Sequence, residues 1–252
     1  MANGTNVTSK TLEILKAFVD KQTEWGVNEL ARYLNYPPSS LHRILKILKE
    51  EDILHMHPSN KKYTIGNEWI RISSVVSSNA SIKNVANPFL QKLSLELDQS
   101  VYLAIYHKQY KKLSFISRFQ STSALQYLLE LGTLQPIHVA ASGKAILSYL
   151  DEKEIAEIFE QEKVSLEEQK HIWKDIEQIR NQGFSFSLNE RKNESIGIGA
   201  PLFDATNQVI GSIICAIPIN LYKKERKDEL ISSVIEVAQN ISSALGFQKE
   251  NS

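Results

Sequence analysis

One break constrains this chain more than any other feature. The segment Asn35-Tyr36-Pro37-Pro38 cannot continue a helix, because proline lacks an amide donor and drives the preceding residue out of helical dihedrals. Helical apolar spacing runs up to the break and resumes after it. Val27, Leu30, Ala31 and Leu34 repeat at i, i+3, i+4, i+7, and Leu41, Ile44, Leu45 and Leu48 repeat the pattern beyond. Proline is favoured in a first helical turn, so Pro37 and Pro38 can end one helix and open the next. Two short amphipathic helices joined by so tight a turn make a helix-turn-helix.

The second helix commits its apolar face to packing. Its other face carries Ser39, Ser40, His42, Arg43 and Lys46, donors and cations near a helix N-terminus, where a recognition helix meets base edges and phosphates. The acidic end, Glu50-Glu51-Asp52, belongs away from phosphate. Ile53–His57 and Lys61–Ile65 read as two short strands around Pro58-Ser59-Asn60, a hairpin with Lys61 and Lys62 at its tip in reach of a phosphate backbone. Upstream, Thr8 to about Asp20 reads as a supporting helix with Leu12, Leu15 and Val19 on one face and Phe18 beside it. Gln22 to Trp25 reads as a loop. Helix, helix, helix, hairpin is a winged helix-turn-helix, assigned here to residues 1–66, and its partner is double-stranded DNA. The competing reading is a three-helix packing module with an ordinary polar face.

Charge refines this. The 252-residue chain is formally neutral, which argues against a generally basic coat for nucleic acid. Residues 39–62 hold five cations against three acids, with three histidines beside them. So weak and focused a patch suits a protein that needs to form a homodimer and meet the correct bases to bind tightly. The length is enough for two domains. No apolar run is long enough for a transmembrane helix, and MANGTNVTSK lacks an apolar signal core, so the expectation is a cytoplasmic protein without membrane attachment.

Asn67–Ser78 reads as a helix with Trp69, Ile72 and Val76 aligned, a linker (67–81) and candidate dimer surface; packing on its own second domain is the alternative. From residue 82 to 252 the pattern is mixed. Phe89, Leu90, Leu93 and Leu97 mark a helix. Val101–His107 is apolar on both faces, a central strand, and Lys112–Phe119 is its hairpin partner. Gly132 and Pro136 bracket a loop before a helix over Ala140–Leu150. Asp151 with Glu154, and Ser165 with Glu168, are capping-box patterns that open helices, and Gly183 closes the second of these helices after Ile172, Ile176 and Ile179. Strands follow at Phe184–Ser187, Ile196–Phe203 and Val209–Pro218. A last helix aligns Leu230, Val234, Val237 and Ile241. The fold class expected is α+β, an antiparallel sheet with helices packed on it.

Catalytic patterns fail when weighed. Ser142-Gly143-Lys144-Ala145 lacks the glycine and the hydroxyl of a phosphate loop at His138 and Ala145. His55 and His57 have no carboxylate or cysteine nearby to complete a metal site. Cys215, the lone cysteine, sits in an apolar run as a buried thiol, and nothing in the spacing brings it to His138 and Glu190 as a triad. No cofactor, metal or catalytic residue is assigned. The alternatives kept are an enzyme with a DNA-binding appendage, acting through Cys215 or Glu190, and a DNA-binding protein that senses nothing.

Three stretches in order resemble the IclR family of transcriptional regulators, and the likeness runs from Val7 to Phe247. Residues 29–66 resemble its winged module, including the Ser-Ser and His-Arg start of the recognition helix and the Tyr63-x-x-Gly66 exit. Residues 131–150 are similar to its Gly…Pro-x-His…Gly-Lys-Ala pattern. Residues 179–213 are similar to its Arg-x-x-Gly-aromatic…Glu…Ala-Pro segment. The resemblance implies a GAF-like effector domain that binds a small carboxylate-bearing metabolite, and a dimer or dimer of dimers on palindromic operators near catabolic operons. It carries DNA contact to Ser39, Ser40, His42 and Arg43, and effector contact to Gly132, Thr133, Ser187, Glu190, Gly197, Ile214 and Ala216. Asp52 and Glu194 stand where the family usually has glycine, and Pro38 stands where lysine is common. Ser187 and Gly197 stand where members that bind two- and three-carbon keto acids carry an acid and a cysteine. The implied pocket is therefore roomier there, which leaves larger organic acids, sugar acids or aromatic acids open. A side chain added at Gly197 is expected to occupy ligand volume.

Overall fold

Asn35 ends α2 (Val27–Leu34) in the left-handed region, φ 55° and ψ 45°, with its amide turned back to the carbonyls of Ala31 and Arg32. Pro37 then caps α3 (Pro38–Glu50) and Pro38 fills its first turn. Asparagine tolerates this conformation and proline needs no intrahelical bond there, so the break acts as a stop and a start. The computed structural model describes residues 6–72, 81–122, 128–190 and 194–248, and the chain divides into two units, Met1–Ala80 and Ser81–Ser252.

In the first unit α1 (Val7–Asp20) packs with α2 and α3 around Ile14, Phe18, Leu30, Leu41, Leu45 and Leu54. The buried face of α1 is not the expected one. Ile14, Ala17 and Phe18 are buried, while Leu12 and Val19 are more than half exposed. Both stripes have helical spacing. The choice is made by Trp25, which is buried and donates its indole N–H to the Ala17 carbonyl at 3.2 Å. The expected loop at Gln22–Trp25 also holds a strand, β1 (Glu24–Trp25). It pairs antiparallel with β3 (Tyr63–Ile65), which pairs with β2 (Leu54–Met56) on its other side. Two residues carry no period that a sequence reading can use. Asp52, at the turn into the hairpin, sits at φ 52°, the conformation that glycine adopts without strain. Residues 67–72 are helical. The remainder of the linker helix, with Val76, lies outside the described residues.

The second unit is an antiparallel sheet between two helical layers. Its elements are α4 (Ser81–Leu97), β4 (Ser100–His107), β5 (Lys112–Phe119), β6 (Gln135–Pro136), α5 (Ala140–Leu147), α6 (Glu152–Glu162), α7 (Leu166–Gln182), β7 (Ser185–Leu188), β8 (Ser195–Phe203), β9 (Val209–Pro218) and α8 (Lys227–Ala244). The strand order is β6-β5-β4-β9-β8-β7. On one face α4 and α8 bury Leu90, Leu93, Val234 and Ile241 against Val101, Leu103, Ile198 and Cys215. On the other, α5, α6 and α7 bury Ile146, Ile158 and Ile176 against Tyr102, Phe115, Ile214 and Ala216. Of each expected capping box the N-cap half forms, the Glu154 amide donating to Asp151 Oδ1 at 2.7 Å and the Glu168 amide to Ser165 Oγ at 3.2 Å, while the Glu154 carboxylate accepts from the Tyr106 hydroxyl instead of returning to the cap; Gly183 closes α7 at φ 79°. Besides one-residue shifts at the ends of β4, β7 and β8, two boundaries move. α5 stops at Leu147, short of Leu150, and the loop bracketed by Gly132 and Pro136 contains edge strand β6, where proline costs no ladder bond. Among the described residues no helix is long and apolar enough to cross a membrane.

The hairpin exit gives a direct test. A Cβ on Gly66 would stand 2.1 Å from the Asp52 carbonyl oxygen. Gly66→Ala should therefore destabilise the protein by about 1–3 kcal/mol. Asp52→Gly should stabilise it by about 1 kcal/mol, since it removes left-handed strain. Urea unfolding of the full chain measures both.

Candidate nucleic-acid interface and small-molecule pocket

Because Leu41, Ile44, Leu45 and Leu48 face the core of the first unit, the opposite side of α3 is turned to solvent. Ser39, His42, Arg43 and Lys46 are exposed there and Ser40 is half-buried. No carboxylate pairs with Arg43 among the described residues, whereas Lys46 lies 3.7 Å from Glu50 one turn on. Ile47, half exposed on this face, was not singled out by the sequence reading. At the hairpin tip the two lysines differ. Lys61 is exposed, and Lys62 is tied to Glu24 at 2.9 Å, a contact that raises the lysine pKa and lowers that of the glutamate. His55 and His57 are exposed with their rings edge-on, 5.7 Å apart.

In the second unit the residues Ala140-Ala141-Ser142-Gly143 open α5 directly over the sheet. The Ser185 hydroxyl donates to the Ala141 carbonyl at 2.6 Å and the Ser212 hydroxyl to the Ser142 carbonyl at 2.9 Å. The first amides of α5 point the other way and need acceptors. The Ala140 amide finds Glu190 Oε2 at 3.0 Å, and the Ala141 amide finds Ser187 Oγ at 3.1 Å. Glu190 Oε1 also accepts from Lys144 Nζ at 2.9 Å, and Asp175 holds the same ammonium at 2.7 Å. Burial alone would lower the Lys144 pKa, but these two carboxylates outweigh it and hold the ammonium above the ordinary lysine range. Ser142 is fully buried, and its hydroxyl has no hydrogen-bond partner among the described residues.

A cavity lies against this helix end. Ser187, Glu190, Gly197, Ile214 and Ala216 line it together, joined by Leu129, Ser142 and Ile196, which sequence reasoning missed. Gly132 and Thr133 do not line it. The Gly132 amide is bonded to the Phe115 carbonyl, and the Thr133 hydroxyl reaches Glu130 at 3.3 Å. The cavity holds only about 20 Å³, room for one water molecule. The roominess expected from Ser187 and Gly197 is thus taken up by close packing. A Cβ on Gly197 would stand 2.8 Å from Ser187 Oγ and 3.1 Å from Ala141 Cβ, so leucine there collides with the helix before it could displace a ligand. A second cavity in this unit, about 360 Å³, is lined by Tyr149, Arg180, Phe203 and Phe247. Its guanidinium is already engaged by the carbonyls of Ser148 and Leu150.

The imagined thiol triad is taken apart by strand alternation. Ile214 and Ala216 face α5, so Cys215 between them faces the opposite layer with Leu103 and Ile198. Glu190 is committed to Lys144 and the Ala140 amide.

Family comparison covers most of the chain. Residues 7–58 match the model described as the IclR helix-turn-helix domain, and residues 74–243 match that of the bacterial transcriptional regulator IclR C-terminal domain. The HTH-type transcriptional regulator KipR of Bacillus subtilis is 23% identical over 98% of this chain and 100% of its own. The structure of an IclR transcriptional regulator from Alicyclobacillus acidocaldarius superposes with a TM-score of 0.85 at 17% identity, over 95% of this chain and 98% of that one. An IclR homolog from Microbacterium hydrocarbonoxydans complexed with 4-hydroxybenzoate superposes at 0.81 with 16% identity, over 95% and 99%.

Burial of Cys215 has a measurable consequence. Desolvation pushes its thiol up to about 12, so the reactive thiolate is absent from the folded protein at ordinary pH. A disulfide reagent at pH 8 should label Cys215 only as fast as the chain unfolds. Rapid labelling of native protein would contradict this packing.

Proposed function

The chain belongs to the IclR family of bacterial transcriptional regulators, and we propose that α3 and the hairpin tip read a palindromic operator while the second unit senses a small organic acid. It is a DNA-binding regulator and not an enzyme. The observation that carries the DNA reading is the exposed face of α3, where Arg43 stands unclaimed by any described carboxylate beside Ser39, Ser40, His42 and Lys46. A guanidinium so placed can donate twice to a guanine edge. Ile47 offers an apolar contact to a thymine methyl on the same face. Lys61 serves phosphate, and Lys62, bound to Glu24, serves it less.

The effector reading rests on the convergence of Ser187, Glu190, Gly197, Ile214 and Ala216 at the amide end of α5. A related protein binds 4-hydroxybenzoate, an aromatic acid. An acid of that size exceeds a one-water cavity, so side chains move when it binds. The ligand changes operator affinity only by favouring one arrangement of the protein over another. The setting is a cytoplasmic homodimer or tetramer controlling a catabolic operon, with repression as the default sign.

Arg43→Ala should weaken operator binding by about 1–3 kcal/mol per half-site with an unchanged melting temperature. Lys61→Ala should weaken binding evenly across sequences and reduce the salt dependence by about one counterion. Fluorescence anisotropy on duplexes of differing sequence separates the two effects. A folded Arg43→Ala protein with wild-type affinity would refute the assigned role.

One weakly basic module binds DNA poorly, so light scattering at micromolar concentration should give at least a dimer mass. A monomer that held a single operator tightly would overturn the symmetric reading.

A further inference from the structure

The opening of α5 has the form of an anion site with a protein carboxylate already in it. Ala140 is held at φ 63°, in a region alanine rarely enters, and in that conformation its amide donates to Glu190. Strain of this kind persists only where the surroundings fix it. The same carboxylate takes a second, charged hydrogen bond from Lys144, whose side chain is mostly buried. An amide at a helix start and an ammonium together are what a bound carboxylate needs. An independent observation points to a ligand at the same place: the Ser142 hydroxyl, fully buried in the wall of the adjoining cavity, has no partner among the described residues. A buried donor is rarely left so.

We infer that the Ala140 amide and Lys144 form a carboxylate-binding site, that Glu190 is its resident occupant, and that an effector acid binds by taking the place of Glu190. This rests on the reading of the second unit as a sensor of small organic acids. The exchange is physically balanced. The incoming carboxylate accepts the two hydrogen bonds that Glu190 gives up, Glu190 returns to water, and Lys144 keeps Asp175 throughout. The body of the acid then extends toward Ser142, Ser187 and Gly197, into volume opened by the departing side chain. Effector affinity is accordingly an intrinsic affinity reduced by competition with Glu190. Neutral ligands of similar shape gain nothing from the site.

Acetate is a sufficient probe, because only the carboxylate position is tested. Melting temperatures of the full chain are measured in increasing sodium acetate against sodium chloride at equal ionic strength, for wild type, Glu190→Ala and Glu190→Gln. Glu190→Ala empties the position and should bind acetate at least roughly tenfold tighter than wild type, as expected for charge-assisted hydrogen bonds with no internal competitor. Glu190→Gln leaves a weaker occupant and should fall between the two. The Ala140 amide resonance should move with acetate in Glu190→Ala. If Glu190→Ala does not fold, the comparison of Glu190→Gln with wild type decides alone. Equal responses of the variants and wild type to acetate and chloride would overturn the proposal and leave Glu190 as a helix cap. Acetate binding that left the Ala140 resonance unmoved would overturn it too. The assay uses no DNA, so a failure of operator recognition would sink the regulatory reading and leave this result standing.

Discussion

The second unit depends on how closely α5 lies on its sheet. A Cβ on Gly143 would stand 2.4 Å from the Ile137 carbonyl oxygen, and one on Gly199 would stand 2.9 Å from the Ala141 carbonyl oxygen. Larger residues at either place would lift the helix away. Instead small residues on both surfaces let main chain approach main chain, and Ser185 and Ser212 bond the helix carbonyls directly from the strands. The helix start is thereby pinned with its amides directed at Ser187 and Glu190. The water-sized cavity and the tie between Glu190 and Lys144 both follow from that approach.

The first unit solves a related problem with different means. There α1, α2 and α3 have one small core to share, and α3 commits Leu41, Ile44, Leu45 and Leu48 to it. What remains outward is polar, short and cationic near the N-terminus of α3, and the acids Glu50, Glu51 and Asp52 gather at the far end. Net neutrality of the whole protein and a basic patch on one face are compatible because the patch is local. The hairpin is steadied by the Glu24–Lys62 pair, which joins β1 to the tip and leaves one cation fewer for phosphate.

Much of this was legible in the sequence where the cause is local. The turn at Asn35-Tyr36-Pro37-Pro38, the caps at Asp151 and Ser165 and the stop at Gly183 are set by a few adjacent residues, and each sits where the pattern placed it. The run Val101–His107, apolar on both faces, marked a central strand, and β4 lies inside the sheet between β5 and β9. What failed depends on distant partners. The face of α1 is chosen by Trp25, and β1 and β6 are too short to show a period. The pocket was half legible. Ser187, Glu190, Gly197, Ile214 and Ala216 came from family resemblance and converge, whereas Gly132 and Thr133 do not. Lys144 and the Ala140 amide were missed because their role arises only once β7 and α5 are brought side by side.

Sequence-specific recognition by paired copies of α3 is the central claim. Selection of bound duplexes from a random DNA library by the full chain measures it directly, with no operator chosen in advance. The result predicted is enrichment of an inverted repeat, its half-sites centred about 10 base pairs or a multiple apart. Folded protein that enriched no sequence, or a single unrepeated one, would contradict it.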